Sequence, residues 1–239
     1  MSYDSRFYET QKTGSYNSAC IVVPIVRNML KVRSVCDIGC GIGTWLRCWQ
    51  EQGVDDVLGI DGDYVDTKQL MIPAEKFRAA DLSQPIRCDR RFDLAMSLEV
   101  AEHLPPSRAA SFVADLTALA PVVLFSAAVP GQGGTNHINE RWQSYWASIF
   151  NDKGFDTFDV LRSRLWDNNR VESWYRQNTM LFCKRDTVAS YPGLTQAAVM
   201  PLSAIHPAEY AAKKTLSVRQ ALAALLVALR GAVSRRIGM

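Results

Sequence analysis

The chain has 239 residues, 48% of them hydrophobic and 21% charged, which is ordinary for a globular protein able to bury a sizeable core. The length favours one α/β domain with an appendage over two full domains. The net charge of +3 is unevenly placed: Ser203 to Met239 carry +5 and the remainder −2, so the main body is not a basic nucleic-acid binder.

The six cysteines, at positions 20, 36, 40, 48, 88 and 183, form no C-x-x-C pair and no dense framework. That usage fits reduced thiols in a cytoplasmic protein. Met1 to Gly14 has no apolar signal-peptide core, and no window reaches the roughly 20 apolar residues of a membrane span.

In chain order, the spacing of apolar residues predicts a helix over Ser18 to Leu30, interrupted or opened by Pro24. A strand follows at Ser34 to Ile38, then a helix at Thr44 to Gln52 that Gly53 ends. Short apolar runs at Val57–Ile60, Glu75–Ala79 and Phe92–Ser97 read as strands ending near Asp61, Asp81 and Glu99. Pro106 opens a helix running to Leu119. Val122–Ser126 is a continuously apolar strand. Arg141–Asp152 is a helix stopped by Gly154, with Asn139 as its expected N-cap, and Phe155–Leu161 and Thr179–Lys184 are the final strands. Alternation of buried strands with helices predicts a mainly parallel sheet covered on both faces.

Three segments are expected: 1–185 as the main domain, 186–207 as a linker with prolines at 192, 201 and 207, and 208–239 as a basic amphipathic helical tail. Leu216, Val218, Leu222, Leu225, Leu226, Leu229 and Val233 mostly keep helical spacing in that tail. Such a stripe can pack on the main domain, form a homodimer, or lie peripherally on an anionic membrane surface.

The chemistry begins at Asp37-Ile38-Gly39-Cys40-Gly41-Ile42-Gly43-Thr44, an acid at a strand end followed by a G-x-G-x-G turn into a helix. Glycines there let the backbone approach a bulky ligand. Thr44 stands where the dinucleotide fingerprint needs Gly or Ala. In open parallel sheets ligands bind beyond the carboxyl ends of the strands, so the terminal acids matter. Asp61, followed by Gly62, lies eighteen residues past Gly43 and can take both hydroxyls of a ribose; the alternative is a helix cap. Asp81, before Leu82, is either a ligand contact or a plain turn acid.

These motifs resemble the class I S-adenosylmethionine (SAM) methyltransferases. The resemblance implies a Rossmann-like, doubly wound, seven-stranded sheet with helices on both faces, here with the C-terminal helical tail added. It implies SAM as cofactor, held by Asp37, Gly39, Gly41, Gly43, Asp61 and Gly62, with Asp81 and Leu82 at the adenine and Glu99 and Val100 beside the methionine portion. Ser97-Leu98-Glu99-Val100 replaces the D/N/S-P-P-aromatic run of nucleic-acid amino-methyltransferases, which disfavours methylation of a base amine. Thr135 to Trp146 and Leu165 to Asn178 resemble a bacterial subgroup associated with glycan and secondary-metabolite chemistry.

Methyl transfer to a hydroxyl needs alignment and removal of one proton. Of three histidines, His137, in a glycine-rich segment after the fifth strand, is the favoured general base and His103 the second candidate. His206 falls in the expected linker. Asn139, Glu140, Trp142, Trp146, Arg176 and Gln177 are expected to contact a small-molecule or glycan-type acceptor, although the crowd of aromatics reads more readily as a mini-core. No metal is expected; His137 and Glu140 sharing a divalent ion with a strand-end acid is a minor alternative. The rival functions are a nucleotide-dependent oxidoreductase and a non-catalytic SAM-binding scaffold.

Overall fold

The computed structural model describes residues 5–194 and 201–214. They divide into two compact units, one running to Ala204 and the other beginning at Ile205.

The first unit is a seven-stranded sheet. Its strands are β1 (Ser34–Ile38), β2 (Asp56–Asp61), β3 (Phe77–Ala79), β4 (Leu94–Leu98), β5 (Val122–Ser126), β6 (Phe155–Phe158) and β7 (Met180–Lys184). They lie in the order β3-β2-β1-β4-β5-β7-β6. All pairings are parallel except those of β7 with β5 and β6. The order reverses between β1 and β4, which register at Val35 with Leu94 and Asp37 with Met96. Such a switch point opens a crevice at the strands' carboxyl ends.

The helices are α1 (Ser5–Met29), α2 (Thr44–Glu51), α3 (Ala109–Leu119), α4 (Gln143–Asp152), α5 (Arg162–Leu165), α6 (Ser173–Asn178) and, in the second unit, α7 (Pro207–Lys214). Strand side chains alternate between two cores. Val35, Leu94, Met96, Val122, Leu124 and Leu181 face α1 and α2. Cys36, Ile38, Ala95, Val123, Phe125 and Phe182 face α3 and α4. Both faces are thus covered, as the unbroken apolar strands predict.

Four expectations are corrected. The first helix starts at Ser5 rather than Ser18. Near its middle it is held by tertiary bonds, Tyr16 Oη donating to Glu51 of α2 and Ser18 Oγ accepting from Glu172 N. The strand predicted over Phe155–Leu161 ends at Phe158. Buried Arg162 donates to both oxygens of Asp159, at 2.8 and 2.5 Å, and turns the chain into α5. Asn139 does not cap α4; the cap position is Trp142, with no side-chain bond. Segment 186–194, expected as a linker, packs instead: Val188 and Tyr191 lie against the core and Leu194 is fully buried.

In the second unit, His206 Nδ1 accepts from Ala208 N at 3.1 Å, satisfying an amide in the first turn of α7. Most of the expected amphipathic tail, from residue 215 onward, lies outside the described residues. Among the described residues no helix is long and apolar enough to cross a membrane.

Candidate active site

The glycine turn follows β1 with Gly39, Gly41 and Gly43 all at positive φ, 82°, 54° and 84°. Gly39 N donates to Ile60 O at 2.7 Å, pinning the turn to β2. A Cβ at Gly39 would overlap the Val100 side chain and one at Gly43 would overlap Ile72, whereas one at Gly41 would enter open space. The backbone at Gly41 therefore stands beside room for a ligand, with its neighbours packed tightly behind it.

Two acids frame the turn. Asp61, 4% exposed, ends β2. Its Oδ2 accepts from Gly41 N and its Oδ1 from Gly62 N and Tyr64 Oη, each at 2.6 Å. The Tyr64 ring is exposed, although its hydroxyl reaches this buried carboxylate. Asp37, in β1, is 3% exposed. Burial first, and then the Asp61 carboxylate, push its carboxyl up to about 8. The neighbouring charge acting on Asp37 is thus another acid, so this end of the sheet suits a ligand carrying positive charge.

On the next turn, exposed Asp81 caps its own loop by accepting from Ser83 N at 2.9 Å, and the Ser83 hydroxyl first, then this amide, hold its carboxyl below the ordinary range. Leu82 is buried. Arg108, which sequence reasoning passed over, clamps this loop by donating to Leu82 O and Gln84 O while pairing with Asp115. Its only sequence signal is a cation just before an apolar helix.

Glu99 follows β4 at φ 56°, one of two non-glycine residues at positive φ among those described. Its carboxylate accepts from Gln132 Nε2 at 2.8 Å and Asn178 Nδ2 at 3.1 Å, and its N–H donates to Ser126. Burial nonetheless raises its carboxyl above the usual range. Gln132 and Asn178 were not predicted, because their meeting depends on β7 entering the sheet beside β5.

Beyond Glu99 the two candidate histidines meet. The His103 and His137 rings lie edge to face with centroids 4.8 Å apart. His137 Nδ1 contacts Glu140 Oε1 at 3.1 Å, and Glu140 accepts from Gly131 N and Gly133 N at 2.6 and 2.7 Å. Those donors hold the Glu140 carboxyl below its ordinary range against the opposing effect of burial. Fully buried Glu102 stands beside the rings with neither carboxylate oxygen in a hydrogen bond of normal geometry. Burial, reinforced by Glu99, drives its carboxyl well above the usual range, and the nearby amides of Glu102 and Ala128 offset this only in part. The Glu102 backbone oxygen accepts from Ile138 N and Asn139 N, which ties the His137 loop to this turn.

The expected acceptor contacts do not form one wall. Trp142 and Ile138 are exposed on the loop. Trp146 is corrected: it is 1% exposed and packs on Phe125 at 5.2 Å, so it is a core side chain. Asn139 is buried, donating to Ala101 O and accepting from Arg141. Arg176 is turned to Trp166 O and Asn169, and fully buried Gln177 to Gln132 and Asn178. These three therefore brace the site's surroundings rather than present free polar tips to an acceptor.

Comparison with known proteins agrees with this fold. A family described as methyltransferase domain matches residues 19–160. No curated protein matches the chain in sequence. Among solved structures, a SAM-dependent methyltransferase from Archaeoglobus fulgidus is similar, at 18% identity and a TM-score of 0.53, covering 76% of this chain and 100% of that one. A SAM-bound amino pentose methyltransferase from Micromonospora echinaspora gives 12% identity and 0.54 over 77% of this chain and 98% of that one. A putative O-methyltransferase from Nostoc punctiforme gives 11% and 0.54 over 75% and 59%.

Proposed function

Because the chain belongs to the methyltransferase-domain family, whose match covers more than half its length, we propose that it is a SAM-dependent methyltransferase acting on a hydroxyl of a small-molecule or sugar-containing acceptor. One observation carries the cofactor part: the open cradle at Gly41 lies beside two buried acids, Asp61, which accepts from Gly41 N, and Asp37, whose carboxyl the Asp61 charge helps to raise. SAM, when bound, supplies an electrophilic methyl group on a cationic sulfur.

The chain's residues have the remaining work. Asp61 takes the ribose hydroxyls in place of Tyr64 Oη. Gly39, Gly41 and Gly43 let the ligand reach the backbone, and Asp37 favours the cationic end. Val100 and the turn at Glu99 wall the methionine side, and Asp81 and Leu82 border the adenine. The acceptor lies over Trp142 and Ile138, with its reacting hydroxyl at the cluster of His103, His137 and Glu102. There the proton leaves, with Glu140 orienting His137. The exposed apolar loop beside polar groups supports an acceptor of mixed character. The acceptor class is also that of the amino pentose enzyme of similar fold.

The family match leaves no place for the oxidoreductase alternative. Turnover separates the enzyme from a silent scaffold: labelled SAM offered with a panel of hydroxylated metabolites and sugars should label one class. His137→Ala should lose transfer at least a hundredfold while keeping affinity for S-adenosylhomocysteine. Failure of the wild type to bind either SAM or S-adenosylhomocysteine would refute the proposal.

A further inference from the structure

We propose that Glu102, His103 and His137 form a binding site for one divalent first-row transition-metal ion. This deepens the reading of the cluster as the seat of proton removal, and rests on that reading for the ion's use but not for its binding.

The three side chains each offer one ligand atom, and these atoms lie within 4.8 Å of one another. Ligands bonded to such an ion at about 2.0–2.2 Å stand roughly 3–4 Å apart, so modest side-chain rotation closes the set. Expecting no metal here means leaving Glu102 unexplained. Its carboxylate is fully buried, with both oxygens lacking a well-formed hydrogen bond. The charges that act on it most strongly are acids, Glu99 and Glu140. A buried carboxylate in that setting is costly unless a proton or a cation neutralises it, and two imidazoles beside it favour a cation.

Both rings are also oriented for ligation. Glu140 engages His137 Nδ1, leaving Nε2 for an ion. Gly134 packs close to that Nε2 edge, and any Cβ there would overlap the atom. The Asn136 carbonyl engages the His103 ring, and Asn136 itself adopts φ 60°. A second acceptor on each imidazole is the arrangement that fixes the tautomer of metal-bound histidine. Two nitrogens and one carboxylate suit Mn(II), Fe(II), Co(II) or Zn(II) better than magnesium, which prefers an all-oxygen shell.

His103 is solvent-exposed, so ion positions on its side stay open to an acceptor hydroxyl. An ion-bound hydroxyl gives its proton to water at a lower pH. Its oxygen then forms the new bond to the methyl carbon as the carbon–sulfur bond breaks, and that electron pair returns to sulfur. The imidazoles act as ligands in that step.

The full chain, stripped with a chelator and dialysed, should be titrated with Co(II), Mn(II) and Zn(II) by calorimetry, and with Co(II) also by visible absorption. One equivalent should bind at micromolar or tighter affinity. Glu102→Gln and His103→Ala should each weaken that binding at least tenfold, with circular dichroism and S-adenosylhomocysteine affinity unchanged. Absence of binding by all three ions up to millimolar concentration would overturn the proposal. So would undiminished binding in both variants, which would move the ion elsewhere, for instance to the group of Cys20, Cys48 and Glu51. Either failure with intact S-adenosylhomocysteine binding leaves the methyl-transfer reading standing, whereas loss of that binding in the wild type strikes the methyl-transfer reading instead.

Discussion

Replacing Gly39 by alanine tests the cradle most directly, because two separable costs fall on one atom. At φ 82° an L-residue sits in the left-handed region, worth about 1–2 kcal/mol. The added Cβ also overlaps both methyl groups of Val100, and overpacking of this kind costs about 1–3 kcal/mol. The single variant should therefore lose about 2–5 kcal/mol of stability. Val100→Ala alone removes buried methyl groups and should cost about 1–3 kcal/mol. In the double variant the two methyl overlaps disappear, leaving a tight 3.1 Å approach to the residue-100 Cβ, while the backbone cost stays. Urea unfolding of all four proteins should then show the double variant more stable than the summed losses by about 1–3 kcal/mol. Titration with S-adenosylhomocysteine should show at least a tenfold weakening in Gly39→Ala, partly restored in the double variant. Additivity within about 0.5 kcal/mol would refute the claim that residue 39 must be glycine because of Val100.

Asp37 makes ligand binding depend on pH. Its carboxyl is raised to about 8 in the folded chain, against about 3.9 when unfolded. The folded state therefore holds an extra proton between those values, and this group's contribution to stability falls as pH rises through the window. A cationic ligand favours the carboxylate, so calorimetry at pH 7 in buffers of different ionisation enthalpy should show up to about one proton released on SAM binding. SAM affinity should rise towards pH 8, and Asp37→Asn should abolish both effects; a buffer-independent enthalpy would count against the assignment. Asp61→Ala should weaken SAM at least tenfold, and unchanged affinity would remove the ribose contact. Trp146→Ala should cost about 3–5 kcal/mol as a core truncation, whereas exposed Trp142→Ala should leave stability within about 0.5 kcal/mol and raise the acceptor KM; the reverse pattern would restore Trp146 to the acceptor site. Arg162→Met should destabilise by about 3–5 kcal/mol, because it strands the Asp159 carboxylate in a buried place, and a urea midpoint close to wild type would disprove that.

Local patterns carried much of the fold. The run from Val35 to Thr44 encodes strand, turn and helix within ten residues, and the apolar strands announce a sheet covered twice because each must bury both faces. The acids at Asp37, Asp61 and Asp81 stand out in the sequence because in a parallel sheet ligands bind beyond the strands' carboxyl ends. The first helix, by contrast, begins at Ser5 in a polar stretch that no apolar periodicity marks. The aromatic residues between Trp142 and Tyr175 looked like one group in the sequence and scatter to different sides of the sheet.

What the sequence determined by itself is one side of the candidate site: the glycine spacing and strand-end acids act through backbone geometry over short stretches, so their placement is written locally. Only the tertiary structure decided the other side. Glu102 and His103, after β4, meet His137, after β5, because those strands are parallel neighbours with aligned ends. Asn178 reaches Glu99 because β7 inserts antiparallel beside β5. Whether a carboxylate is solvated or stranded depends on what the sheet brings around it, and at Glu102 that burial makes an ordinary glutamate the most demanding group in the site.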